Sequence, residues 1–268
     1  MPDEQPSFDI PADLVRFNYP LPHLAQGLKG TAGIKIVAIG SSSTAGEGGI
    51  VPYPSRLEAA LKTRFTNPTI RVLNKGIGGQ EAPEELKRFE NDIFDQAPLL
   101  TIWQVGTNAV FHNDSYKQDD VASAIAMGLD QLHGRSMDVL LMDLQYAPAI
   151  VKPEKVEATK RMVSLIAAAA AKATVNLFHR FALMQHWHET DNIPFAQMID
   201  PTDGDQLHQS DLSTHFVAQA LTGAIVEAAG GAGGSVFAGI PRNSSILTAR
   251  PFGRPTAACS VTHGPRSH

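Results

Sequence analysis

Ile34-Lys35-Ile36-Val37-Ala38-Ile39 runs directly into Gly40-Ser41-Ser42-Ser43-Thr44-Ala45-Gly46. The first part has the apolar, β-branched character of a buried strand, and the second is glycine and small hydroxyl residues. A strand that ends this way delivers side chains to the carboxyl edge of a sheet, where open α/β folds place their ligands. One of these serines is therefore a candidate nucleophile. Serine is a weak nucleophile near neutral pH, so the reading requires a base and an orienting acid elsewhere in the chain. Asp205-Gln206-Leu207-His208 offers both, just ahead of an amphipathic segment.

Two further β-like runs close on polar interruptions. Arg71-Val72-Leu73-Asn74 leads into Lys75-Gly76-Ile77-Gly78-Gly79, and Leu99 to Val105 leads into Gly106-Thr107-Asn108. Helical spacing appears between the strands: Leu57, Ala60, Leu61 and Phe65 after Pro54, and Leu86, Phe89, Ile93 and Phe94 after Pro83. Val121 to Leu132 reads as a helix, Met137 to Leu144 as a strand, Glu154 to Ala173 as an Ala-rich helix and Val175 to Phe178 as a short fifth strand. Asp211 to Ala228 reads as the closing helix, with Ser210 or Asp211 near its start. Strand and helix in alternation argue for a three-layer α/β/α sandwich around a mainly parallel five-stranded sheet, in which loops after neighbouring strands converge on one edge.

Four blocks, Gly40-Ser41-Ser42-Ser43-Thr44, Asn74 through Gly79, Gly106-Thr107-Asn108 and Asp205 through His208, resemble the SGNH (GDSL-like) hydrolases in their order. That family comprises esterases, lipases and carbohydrate deacetylases, and the resemblance spans roughly residues 34 to 228. It implies the flavodoxin-like SGNH fold, with Ser42 as nucleophile, His208 as general base and Asp205 as the acid that orients it. Asp203, two residues earlier, is the rival acid, and the family's Asp-x-x-His spacing selects Asp205. It also implies an oxyanion hole formed by the backbone N–H groups of Ser42 and Gly79 and the side-chain amide of Asn108. Two departures stand out: Ser41 where the family usually has Asp, and Ala109 where its Gly-x-Asn-Asp block ends in Asp. The first bears on how the nucleophile loop is held, the second on how Asn108 is supported.

Composition agrees with a soluble enzyme but does not choose one. The 268 residues are 43% hydrophobic, enough to bury a substantial core as one larger domain. The formal charge of −5 carries no basic character for a phosphate backbone, so nucleic acid is not an expected partner. The longest strongly apolar stretch, around Leu165 to Ala171, is far shorter than the roughly 20 residues of a membrane span. The opening Met1-Pro2-Asp3-Glu4-Gln5-Pro6 lacks the basic region and apolar core of a secretory signal, so the expectation is cytoplasmic, with export of a longer precursor as the alternative.

Residues 1–30, punctuated by Pro2, Pro6, Pro11, Pro20 and Pro22, read as an extended arm packed along the 31–229 catalytic domain. Residues 230–268 open on Gly230-Gly231-Ala232-Gly233-Gly234 and read as a disordered tail carrying Arg242, Arg250, Arg254, Arg266 and the single Cys259. His186-Trp187-His188-Glu189 invites a metal reading, but alternating histidines diverge on a strand and no further ligand set has suitable spacing, so it is read as a loop or pocket wall. Trp103 is read as core, although it and Trp187 could border a groove. No metal and no cofactor are expected. The expected activity is hydrolysis of short-chain or acetyl esters of carbohydrate-like alcohols through an acyl-serine, with a small-molecule or glycan ester as partner. The alternatives are a glycan-binding module on the same fold and an acyltransferase with the same triad.

Overall fold

Five strands, β1 (Ile34–Gly40), β2 (Ile70–Gly76), β3 (Leu100–Gln104), β4 (Asp138–Met142) and β5 (Asn176–Phe178), form one sheet in a computed structural model that describes residues 8–230. Their order is β2-β1-β3-β4-β5 and every pairing is parallel. In register, Ile36 lies beside Val72 on one side and Leu100 on the other. β3 is buried at every position and β1 at all but Lys35, as expected of strands covered on both faces; the edge strand β2 alternates. This is the flavodoxin-like arrangement expected from the sequence.

The chain reverses direction across the sheet at β1. Because parallel crossovers are right-handed, the helix after β1 falls on one face and the helices after β2, β3 and β4 on the other. The contacts agree. The Tyr53–Phe65 helix packs on β2 and on the Asp211–Ala228 helix, whereas Gln118–Leu132 packs against Ala82–Leu86 and Val156–Ala173. The same reversal makes a crevice between the carboxyl ends of β1 and β3, the usual ligand position in such sheets.

Some elements differ from the sequence reading. The segment from Pro83 does not form one helix; it breaks into Ala82–Leu86, Phe89–Asp92 and a single 3₁₀ turn at Phe94–Gln96. The N-terminal arm is not simply extended: it holds the helices Ala12–Val15 and Pro22–Lys29, the second opened by a proline at its first position, where the missing N–H costs nothing. The arm is tied to the domain by Phe8, stacked on Phe216 at 4.5 Å and edge-on to Trp187 at 4.9 Å, and by the Leu24 N–H on the Asp138 carboxylate. His186-Trp187-His188-Glu189 lies in an Arg180–Glu189 helix rather than a strand or loop. Trp187 and Trp103 are both fully buried, so neither borders a groove. The expectations for the tail from residue 231 onward, Cys259 included, lie outside the described residues. No helix among the described residues is long and apolar enough to cross a membrane.

Gly76, the last residue of β2, lets the following element sit hard against the sheet. A Cβ there would lie 2.1 Å from the Ala45 backbone nitrogen, in the Ser42–Ala45 turn of helix that follows β1. Backbone cannot yield as a side-chain tip can. Gly76→Ala is expected to lower stability by about 1–3 kcal/mol, the usual cost of overpacking, as a reduced urea midpoint.

Candidate active site

Ser42 opens the Ser42–Ala45 helical turn directly beyond β1, and its Oγ lies 2.9 Å from His208 Nε2. The other ring nitrogen, Nδ1, lies 3.1 Å from Asp203 Oδ2. These three side chains come from opposite ends of the sequence and meet at the carboxyl edge. A hydroxyl on one imidazole nitrogen and a carboxylate on the other is the arrangement that lets serine lose its proton as it attacks.

The acid in contact with His208 is thus Asp203 and not Asp205, a correction to the sequence reading. A three-residue spacing brings acid and base together on a helical turn, but residues 203–208 are not helical. The loop curls around the Asp203 carboxylate, which accepts N–H groups from Asp205 at 3.1 Å, Leu207 at 2.8 Å and His208 at 2.6 Å. Gln206 takes a left-handed backbone conformation (φ 54°) to close the curl, and the Asp205 side chain is left exposed. Burial by itself would raise the Asp203 carboxyl, but the N–H donations of His208, Leu207 and Asp205 and the His208 ring outweigh it and hold the group below the ordinary carboxylate range. Asp203 is therefore an anion wherever His208 can act as a base.

The loops after β2 and β3 supply the other expected groups. Gly79 lies in the turn after β2 with φ 76°, its carbonyl accepting from the Tyr116 hydroxyl at 3.0 Å. Asn108 is buried in the short Thr107–Phe111 helix after β3, and its side-chain amide donates to the Gln80 carbonyl at 2.8 Å. That bond uses one N–H of the amide and fixes its plane; the second N–H remains available. Asn74, read as a turn residue, accepts the Gly76 N–H and donates to the Ala45 carbonyl, anchoring the end of the nucleophile turn.

Three residues that the motifs did not single out hold this edge together. Gln104, the last residue of β3, accepts at one Oε1 from the Ser41 N–H, the Ser41 hydroxyl and the Thr44 hydroxyl. Gln145, beyond β4, accepts from the Ser43 and Thr107 hydroxyls at 3.1 and 3.0 Å and donates to the Leu207 carbonyl at 3.3 Å. It links the nucleophile turn, the Asn108 helix and the His208 loop. Glu81, just after Gly79, accepts the N–H groups of Gly106 at 2.8 Å and Ala109 at 3.0 Å.

Gln104 thus organises the loop at Ser41, and Glu81 braces the helix that contains Ala109, the two positions at which the sequence departs from a GDSL-like pattern. Burial pushes the Glu81 carboxyl up against those N–H donations, and pushes neighbouring Glu85 well above the usual range, with the Glu81 charge adding to it. Glu85 Oε2 receives the Trp103 indole N–H at 2.7 Å.

A family model described as Non-GDSL lipase-like matches residues 7–231. The chain belongs to the Non-GDSL lipase-like family. The description suits Gly40-Ser41-Ser42-Ser43, in which the Asp and Leu of a GDSL signature are replaced by Ser41 and Ser43. No curated relative matches the chain in sequence.

Among solved structures, a catalytic mutant of Axe2, an acetylxylan esterase from Geobacillus stearothermophilus, has a TM-score of 0.60 at 17% identity, covering 75% of this chain and 97% of that one. The acetyl xylan esterase AlAXEase gives 0.60 at 22% identity, covering 72% and 100%. LAE5, an α/β hydrolase enzyme from the metagenome of Lake Arreo, Spain, gives 0.54 at 24% identity, covering 76% and 98%. At such identities the likeness is one of fold. This Non-GDSL lipase-like chain thus shares its architecture with esterases and carries its own candidate site on it.

Proposed function

We propose that the protein is a serine esterase that hydrolyses short-chain acyl esters, acetyl foremost, of carbohydrate-like alcohols. The observation that carries the reading is the Ser42 Oγ hydrogen-bonded to His208 Nε2 while Asp203 faces Nδ1. His208 takes the Ser42 proton as Oγ attacks the ester carbonyl carbon, and Asp203 stabilises the resulting imidazolium. The carbonyl oxygen becomes an oxyanion, met by the backbone N–H groups of Ser42 and Gly79 and the free N–H of the Asn108 amide. The tetrahedral intermediate collapses, the alkoxide leaves with the proton held by His208, and Ser42 is left acylated. Water then gives its proton to His208, attacks the acyl carbon and releases the carboxylic acid and free Ser42.

The preference for short acyl groups is suggested by the acetylxylan esterases that share the fold. A small cavity opens beside Ser42, lined by Glu47, Ile50, Pro52, His208, Gln209 and Thr214. The carbohydrate-like alcohol is suggested by the family membership together with the acetylxylan esterases that share the fold.

A chain-length series of p-nitrophenyl esters tests the acyl preference, and a fluorophosphonate with peptide mass mapping tests the nucleophile. Acetate is expected to be the best substrate, with the phosphonyl mass on the peptide containing Ser42. Octanoate faster than acetate would refute the acyl assignment, and a protein that is neither active nor labelled would refute the esterase. Within this reading Asn108→Ala removes one oxyanion donor and is expected to lower kcat on p-nitrophenyl acetate by about 10²–10³-fold with little change in KM. A loss confined to KM would place Asn108 in ground-state binding instead.

A further inference from the structure

Glu47 is not among the residues that the chemistry requires, yet its carboxylate faces the reacting atoms. Oε2 lies 3.5 Å from His208 Nε2, the nitrogen that hydrogen-bonds Ser42. Oε1 sits over Gly78: a Cβ at that position would lie 2.7 Å from it and 3.9 Å from Ser42 Cβ. The carboxylate thus occupies the space between the nucleophile, the base and the turn that presents Gly79. No donor among the described residues hydrogen-bonds to it, and its side chain is 45% exposed. Glu47 also lines the small cavity at Ser42.

In the mechanism proposed above, His208 Nε2 hands its proton to the departing alkoxide. The substrate's alcohol portion must therefore pass close to Nε2, and the Glu47 carboxylate lies 3.5 Å from that nitrogen. A carboxylate there accepts a hydrogen bond from a hydroxyl and repels a second anion. The other polar groups beside it, Gln209 and Thr214, are partners for hydroxyls too. The cavity wall has no aromatic face of the kind that holds a quaternary ammonium group.

Building on the esterase reading, we infer that Glu47 is a specificity-determining residue for the alcohol: it selects neutral polyols, in which a hydroxyl sits on the carbon next to the ester, and rejects alcohols that carry a carboxylate at that position. Four acetates with matched acyl groups test this: 2-hydroxyethyl acetate, propyl acetate, acetoxyacetate and acetylcholine. Each is compared by kcat/KM within wild type, Glu47→Gln and Glu47→Ala, so that any effect of Glu47 on His208 common to all substrates cancels in the ratios.

Wild type is expected to favour the hydroxyethyl over the propyl ester by about 10- to 100-fold, the usual worth of a hydrogen bond to a charged group. Glu47→Ala should lose that ratio. Glu47→Gln, which still offers an acceptor, should keep part of it, and both variants should gain on acetoxyacetate relative to propyl acetate. Turnover with the same hydroxyethyl-to-propyl ratio in wild type and Glu47→Ala overturns this inference alone, as does acetylcholine being the best of the four in wild type. A wild-type protein inert to all four esters and unlabelled by fluorophosphonate overturns the esterase reading and this inference with it.

Discussion

Ser42→Ala is expected to lower kcat on p-nitrophenyl acetate by about 10⁶-fold, the scale on which a serine hydrolase loses turnover without its nucleophile. The fold should be untouched. The hydroxyl is bonded to His208, a residue already held by Asp203, and an alanine methyl fits wherever serine did. Circular dichroism and the urea midpoint should match wild type. The neighbouring hydroxyls are engaged elsewhere: Ser41 donates to Gln104 and Ser43 to Gln145. A folded Ser42→Ala protein with unaltered turnover would remove Ser42 as nucleophile and leave the geometry at His208 without a chemical role.

The second large effect separates two aspartates two residues apart. Asp203→Asn is expected to cost about 10⁴-fold in kcat, because an amide cannot stabilise the imidazolium and favours the wrong tautomer of the ring. Asp205→Asn is expected to turn over at the wild-type rate, since its carboxylate points to solvent. The opposite ranking would restore Asp205 as the acid and mean that the 203–208 loop curls differently in the working enzyme.

The same substitution has a signature in stability. The folded Asp203 carboxyl is held below its ordinary value, so its contribution is fully present above the unfolded pKa of about 3.9 and is lost as pH falls through the lower folded value. Asp203→Asn should therefore weaken the fall in stability below about pH 4, measured as urea midpoints across the acid range.

Much of this architecture is written locally. The Ile34–Ile39 run before Gly40, the repeat of that pattern at β2 and β3, and the apolar periodicity of the long helices each depend on residues close together in the chain, and the sheet order follows once crossovers are right-handed. Ser42, Gly79, Asn108 and His208 stood out as candidates because each lies at a strand end or just ahead of a helix, in blocks that follow one another in a family's order. The helix Arg180–Glu189 was not, since its apolar residues follow no one-sided stripe and its histidines resemble a ligand set. The Phe89–Gln96 break was also hidden: Leu86, Phe89, Ile93 and Phe94 have helical spacing, but the chain turns between them.

The sequence by itself determined the fold class, the edge of the sheet that carries the candidate site, and the Ser42 and His208 side chains that are in contact there, because strand ends and their punctuation are local properties. Only the tertiary structure decided that Asp203 faces His208, that Gln104 and Glu81 hold the turns at Ser41 and Ala109, and that Gln145 joins three loops. Those choices depend on which buried carbonyl, carboxylate or amide lies within hydrogen-bonding distance across tens of residues. Spacing along the chain carries no record of such distances, whereas a folded interior must satisfy each of these polar groups.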